Sequence, residues 1–181
     1  ADSSDFFGRT EMINRILGRL DEDVNEADFL AVIGPSGSGK SSLVKAGVFP
    51  ALRRGRIANS EDWFFAEMVP GDDPIEELEA ALLRVATSPL PRMIDLLREG
   101  KYGLAEAAEW SVPTEGTKLV LLIDQFEEVF TQLESEEERT HFLNLIHYAV
   151  MTDHSPVMVI ITLRADFYDK PLLYQEFGEL I

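Results

Sequence analysis

Residues Gly34-Pro35-Ser36-Gly37-Ser38-Gly39-Lys40-Ser41 meet the spacing G-x-x-x-x-G-K-[ST]. The glycines of such a loop let the backbone turn tightly and aim its N–H groups inward at an anion. A helix that opens at the end of the loop adds the positive end of its dipole. Lys40 brings an ammonium group for the β- and γ-phosphates, and Ser41 a hydroxyl for Mg²⁺. Pro35, Ser36, Gly37, Ser38 and Ser42 complete the candidate binding segment. The chemistry is the holding of ATP or GTP phosphates with Mg²⁺. A chance glycine–serine loop is the competing reading. It is disfavoured by the apolar run before the loop and the helical pattern after it.

A second group of polar residues follows two later apolar runs. Asp124 ends residues 118–124, and a carboxylate there can hold Mg²⁺ through its water shell. The bland alternative is an acidic helix cap. Position 125 is Gln, where many ATPases of this kind place a catalytic Glu. Glu127 and Glu128 follow, either as a general base for an attacking water or as solvated acids in the first turn of a helix. Arg164 ends residues 156–164. Its guanidinium could touch a γ-phosphate, or it could pair with Asp166 or an acid on a neighbouring strand. Thr162 is a weaker polar candidate on the same run. Hydrolysis on this pattern is expected to be slow.

These residues need a scaffold. Residues 29–33 form a continuous apolar run that reads as a strand buried on both faces. A helix through Leu43, Val44 and Ala46 should stop near Gly47 or Pro50. Before the first strand, Ile13, Ile16, Leu17 and Leu20 share one face of a helix from about Glu11 to Leu20, followed by an acidic loop at 21–23. A second strand is expected over 63–69, then a turn at 70–74. Ile75, Leu78, Leu82 and Val85 continue as an amphipathic helix, with shorter helices at 91–100 and 104–110. Ser135 and Glu138 make a capping box for a helix carrying Phe142, Leu145, Ile146 and Ala149 inward. A short helix closes the chain. Alternating strands and helices predict a parallel sheet with helices on both faces. Ligands then bind beyond the carboxyl ends of the strands, where the loop, Asp124 and Arg164 all fall.

Composition sets the outer bounds. The 181 residues suit one compact α/β domain, and 45% hydrophobic residues suffice for a core. A net charge of −17 disfavours nucleic acid, and the basic cluster Arg53-Arg54-Gly55-Arg56 reads as a solvated loop. No apolar run approaches a membrane span, and cysteine is absent, so a cytoplasmic setting is the default. The 3 histidines, His141, His147 and His154, do not read as a metal set, and the first two read as surface residues of one helix. Trp63 and Trp110 read as core or edge aromatics.

The motifs in combination resemble a family. Phe6-Phe7-Gly8-Arg9, the loop running into Leu43-Val44-Lys45-Ala46-Gly47-Val48-Phe49-Pro50, Leu121-Leu122-Ile123-Asp124-Gln125-Phe126-Glu127-Glu128-Val129-Phe130 and Thr162-Leu163-Arg164-Ala165-Asp166-Phe167-Tyr168 occur in that order. The set closely resembles the novel STAND NTPases, signal-transduction ATPases related to the AAA+ and NACHT groups and often placed ahead of WD40 or other repeats. The resemblance runs from Phe6 to about Phe177.

It implies a three-layer parallel-sheet P-loop NTPase core, ASCE/AAA+-like, over residues 1–181, truncated after the fourth core strand. The lid, winged-helix and sensor regions would lie outside this segment. It implies that Phe7, Gly8 and Arg9 lie near the base and sugar of the nucleotide. Asp124 matches the metal-linked acid, Glu127 and Glu128 the acidic pair, and Arg164 the sensor position. Two departures touch the base-side pocket: Met12 stands where the family usually has Glu, with Glu11 beside it, and Val69 where it often has Arg. The resemblance further implies an ATP/ADP-dependent switch with Mg²⁺, partnered by sensor or repeat domains of the same protein and by self-association.

Two other functions compete. A scaffold that binds nucleotide without hydrolysis fits Gln125. A transport or kinase ATPase would need a Leu-Ser-Gly-Gly-Gln-type signature, or several clustered arginines. Residues 105–117 hold no such signature, and Arg84, Arg92 and Arg98 are scattered along helical patterns.

Overall fold

The computed structural model describes residues 3–21, 28–87, 91–112 and 116–181. Helix α1 covers Ser3–Asp21, eight residues ahead of the expected start at Glu11, so the Phe-Phe-Gly-Arg motif is helical. Most of the acidic loop expected at 21–23 lies outside the described residues, and Asp21 ends the helix.

Four strands follow the apolar runs: β1 Phe29–Gly34, β2 Phe64–Met68, β3 Leu119–Ile123 and β4 Val157–Arg164. All pair in parallel, in the order β1-β4-β3-β2. Period-two alternation divides β3 and β4 between two cores. Leu119, Leu121 and Ile123 join Val157, Val159, Ile161 and Leu163 in one core. Val120, Leu122, Met158 and Ile160 face the other. The molecule is therefore a three-layer α/β sandwich.

The second core is closed by Ile16 and Leu17 of α1, with Ile13 and Leu20 packed beside them. It also takes residues of α2 Lys40–Leu43 and α3 Phe49–Arg53. The first core is closed by α4 Pro74–Leu83, α5 Met93–Glu99, α6 Gly103–Ser111, α8 Glu136–Met151 and α9 Gln175–Gly178. Between β3 and α8 lies the single turn α7 Glu128–Thr131. Asp73 caps α4 by accepting from the amides of Ile75 and Glu76. Ser135 caps α8 by accepting from Glu138 N.

Several expectations need correction. β1 is an edge strand and only half-buried, not covered on both faces, and Ile33 is 38% exposed. The helix after the loop does not stop at Gly47 or Pro50. A π-turn over Val44–Val48 joins α2 to α3, and Phe49 N donates to Val44 O. The widened turn carries the run past Pro50, which has no N–H to offer. Helix α1 packs closely on Gly47: a Cβ there would sit 2.6 Å from Ile13 Cδ1.

His141 is half-buried, its Nε2 2.7 Å from Leu97 O. Among the described residues the buried Nδ1 of His147 has no hydrogen-bond partner. Neither is the plain surface residue expected, although among the described residues no group of three or more His, Asp or Glu could hold a metal. Trp63 packs beside the second core, but Trp110 is 64% exposed rather than core or edge. The arginines at 53–56 are exposed, but not all lie in a loop: Arg53 ends α3 with its guanidinium 4.7 Å from the Phe65 ring, and Arg56 donates to Asn14 Oδ1 at 3.1 Å. No described helix is long and apolar enough to cross a membrane.

Candidate functional site

The phosphate loop follows directly from β1. Its turn is closed by Ser38 N donating to Pro35 O at 3.3 Å, and the helix begins with Leu43 N on Gly39 O at 2.8 Å. Gly37 and Gly39 sit at φ +73° and +83°, the left-handed region where a Cβ would be strained. Gly39 is the N-cap and has no side chain to cap the first amides of α2, which are left for an anion. A Cβ on Gly34 would meet Ser38 Oγ at 3.0 Å. Lys40 folds back over the loop, its Nζ donating to Gly34 O at 2.9 Å and Pro35 O at 2.8 Å. The ammonium therefore stands over the loop mouth.

The Asp124 corner faces the loop across β4. Asp124 is 4% exposed. Its Oδ1 accepts from Ser41 Oγ at 2.6 Å, Thr162 Oγ1 at 2.6 Å and Gln125 N at 3.1 Å. Its Oδ2 pairs with Lys45 Nζ at 3.1 Å. Burial raises the carboxyl pKa, but the hydrogen bonds from Ser41, Thr162 and Lys45 outweigh it and leave it below the ordinary 3.8. For Lys45 burial acts downward, and Asp124 and Glu67 outweigh it to leave the pKa above 10.5. Asp124 is not a helix cap, since the N-cap of α7 is Glu127. Gln125 sits at φ 55°, strained for a non-glycine residue, and its N–H also reaches Thr162 Oγ1 at 3.0 Å.

The acidic pair splits. Glu127 Oε2 accepts from Arg164 N at 3.3 Å, at the end of β4 beside the loop. Glu128 Oε2 accepts from Gly71 N at 3.1 Å, toward β2 and away from the loop. Arg164 lies in register with Gly34, yet its guanidinium grips Asp166 through Nε at 3.1 Å and Nη2 at 2.6 Å. Of the two readings open for Arg164, this is the ion pair. Arg9 Nη2 lies 3.3 Å from where a Gly39 Cβ would be, so α1 brings it against the loop. Gly8 precedes it in α1, and the side chain of Phe7 lies outside the described residues.

Two residues of the corner stand out less in the sequence than in the structure. Thr162, a weaker candidate by sequence, is 1% exposed and bonded to Asp124. Lys45 appears in the sequence only as part of a motif, but its spacing of four from Ser41 places both on one helix face, the signal that points to it.

The family model of novel STAND NTPase 1 matches residues 1–181. The chain belongs to the novel STAND NTPase 1 family, and at that level it is a nucleotide-binding domain of an NTPase. A curated relative is the lipoprotein-releasing system ATP-binding protein LolD 2 of Rhodospirillum rubrum. It is 47% identical over 38 residues, 21% of this chain and 16% of that protein.

Two solved structures of Thermomonospora curvata EccC align with this chain. The cytoplasmic domain of this type VII secretion ATPase aligns over 87% of this chain and 18% of that one, at 15% identity and TM-score 0.42. Its ATPases 2 and 3 in complex with a signal sequence peptide align over 88% and 29%, at 19% identity and TM-score 0.43. The chain thus spans under a third of each of these proteins. The parallel order and register seen here, rather than those superpositions, define the fold.

Proposed function

We propose that this chain is the nucleotide-binding module of a regulatory switch, binding ATP or GTP with Mg²⁺ and hydrolysing it slowly. The observation that carries this reading is the meeting of Ser41 Oγ with Asp124 Oδ1 at 2.6 Å, where the phosphate loop opens its helix. The donor set fits a small hard cation: a hydroxyl and a carboxylate oxygen, the carboxylate held in its charged form. Mg²⁺ would neutralise charge on the phosphates and on the leaving oxygen.

The chain's own groups do the rest. The loop amides from Gly34 to Ser42 cradle the phosphates, with Pro35, Ser36, Gly37 and Ser38 shaping the turn. Lys40 exchanges its two carbonyls for phosphate oxygens. Ser41 and Asp124 hold the cation. Phe7, Gly8 and Arg9 flank the base and sugar. Glu127 is the better general base, because it sits on the loop side of the sheet while Glu128 is drawn to Gly71. Arg164 senses a γ-phosphate by leaving Asp166. By family likeness, ADP holds the full protein closed, and exchange for ATP releases it to sensor or repeat domains and to self-association.

A nucleotide-binding scaffold without hydrolysis is the second reading. The exposed Gln125 at the expected glutamate position and the committed Arg164–Asp166 pair favour it. Calorimetry with ATP, ADP and GTP, with and without Mg²⁺, tests binding. Single-turnover hydrolysis by wild type and Glu127→Gln separates the readings. The switch expects hydrolysis to slow about 10²-fold in the variant, and equal rates in both would remove Glu127 from the chemistry. An absence of binding to all three nucleotides would overturn both readings.

A further inference from the structure

Ser41 and Lys45 are four residues apart on one helical run, so they share a face. Together they grip both oxygens of one carboxylate: Ser41 takes Oδ1 of Asp124, Lys45 takes Oδ2. Lys45 has a second acid within reach. Its Nζ lies 3.3 Å from Glu67 Oε2 on β2, the strand next to β3. The two acids differ in setting, with side chains 56% exposed for Glu67 and 6% for Asp124. The ammonium is thus shared between a solvated carboxylate and a buried one.

Charge makes this a competition. A divalent cation held by Ser41 and Asp124 would share one carboxylate with a positive charge already 3.1 Å away. Two positive charges on the two oxygens of one partly buried carboxylate repel each other substantially. Lys45 can yield without losing an ionic partner, since Glu67 is already in contact.

We propose that Lys45 is a built-in competitor for the metal-binding carboxylate, stepping from Asp124 toward Glu67 when a divalent cation binds. The Lys45–Glu67 pair then sets the cation concentration at which nucleotide is held. Lys45 acts through Asp124 and is a positioning residue. The inference rests on the proposed Mg²⁺–nucleotide site.

The test titrates Mg²⁺ into chelator-treated full chain with a fluorescent ADP analogue and reads the half-saturating Mg²⁺. Lys45→Met should lower it about three- to tenfold, because the competing charge is gone. Glu67→Gln should raise it about twofold, because Lys45 then rests on Asp124 alone. The double variant should follow Lys45→Met. An unchanged or raised value in Lys45→Met would make Lys45 a brace for Asp124 and overturn the inference. Should Lys45→Met not fold, Glu67→Gln decides, and an unchanged or lowered value there overturns it. Wild type that binds no ADP with Mg²⁺ overturns the site itself. Wild type that binds while both variants match it overturns this inference alone.

Discussion

The phosphate loop and the Asp124 corner lie at the same end of the sheet but draw on different ranges of sequence. The loop is local. Lys40 reaches carbonyls six and five residues back, and the turn closes from Ser38 to Pro35. The corner is distant in sequence. Asp124 bonds Ser41 across 83 residues and Thr162 across 38. The loop is exposed backbone kept open by glycine, whereas the corner is a buried carboxylate satisfied by side chains. A local device can be damaged without unfolding the protein. Damage to a buried polar cluster costs stability as well, because each partner removed leaves another unpaired.

Lys40→Ala gives the sharpest contrast. It should weaken ATP affinity on the order of 100-fold, since charge-assisted phosphate contacts vanish. Stability without ligand should move by less than about 0.5 kcal/mol. Calorimetry and thermal melts read the two quantities, and a large drop in melting temperature would erase the contrast. Thr162→Val should do the reverse on stability, removing a buried hydroxyl that donates to Asp124 and accepts from Gln125 N. Its expected loss is about 1–2 kcal/mol by denaturant unfolding, with Thr162→Ser recovering most of it. A neutral Thr162→Val would mean the corner is not held by its hydrogen bonds.

The smallest effect is in pH. The Asp124 carboxyl is shifted below 3.8, so its contribution is present above that value and lost as pH falls through the folded-state pKa. The stability difference between wild type and Asp124→Asn should be flat from about pH 5 to 8 and shrink below about pH 4. Lys45 mirrors this. Its pKa is shifted above 10.5, so its contribution is present below that value and lost as pH rises through the shifted pKa. A difference that stayed constant down to pH 2 would mean Asp124 is not stabilised as an anion.

Much of the fold was legible because buried strands and helix faces write their burial in periodicity. Residues 118–124 read as an apolar strand ending in a carboxylate, and β3 covers Leu119–Ile123, buried throughout. Residues 29–33 carry a similar apolar signal, yet β1 lies at an edge. An apolar run reports that a strand belongs to a sheet, not its place in the order. Gly47 and Pro50 looked like stops because local rules make them so. Helix α1 packing on Gly47 and the π-turn before Pro50 override those rules.

The sequence by itself determined the phosphate loop, since its spacing dictates where glycines permit positive φ and where a helix begins. It also placed an acid at a strand end. The tertiary structure decided what that acid touches: which of Glu127 and Glu128 faces the loop, that Arg164 grips Asp166, and that Lys45 spans Asp124 and Glu67. The reason is range. Backbone conformation follows from neighbours in the chain, whereas pairing between side chains on β2, β3, β4 and the loop helix exists only once the strand order brings them together.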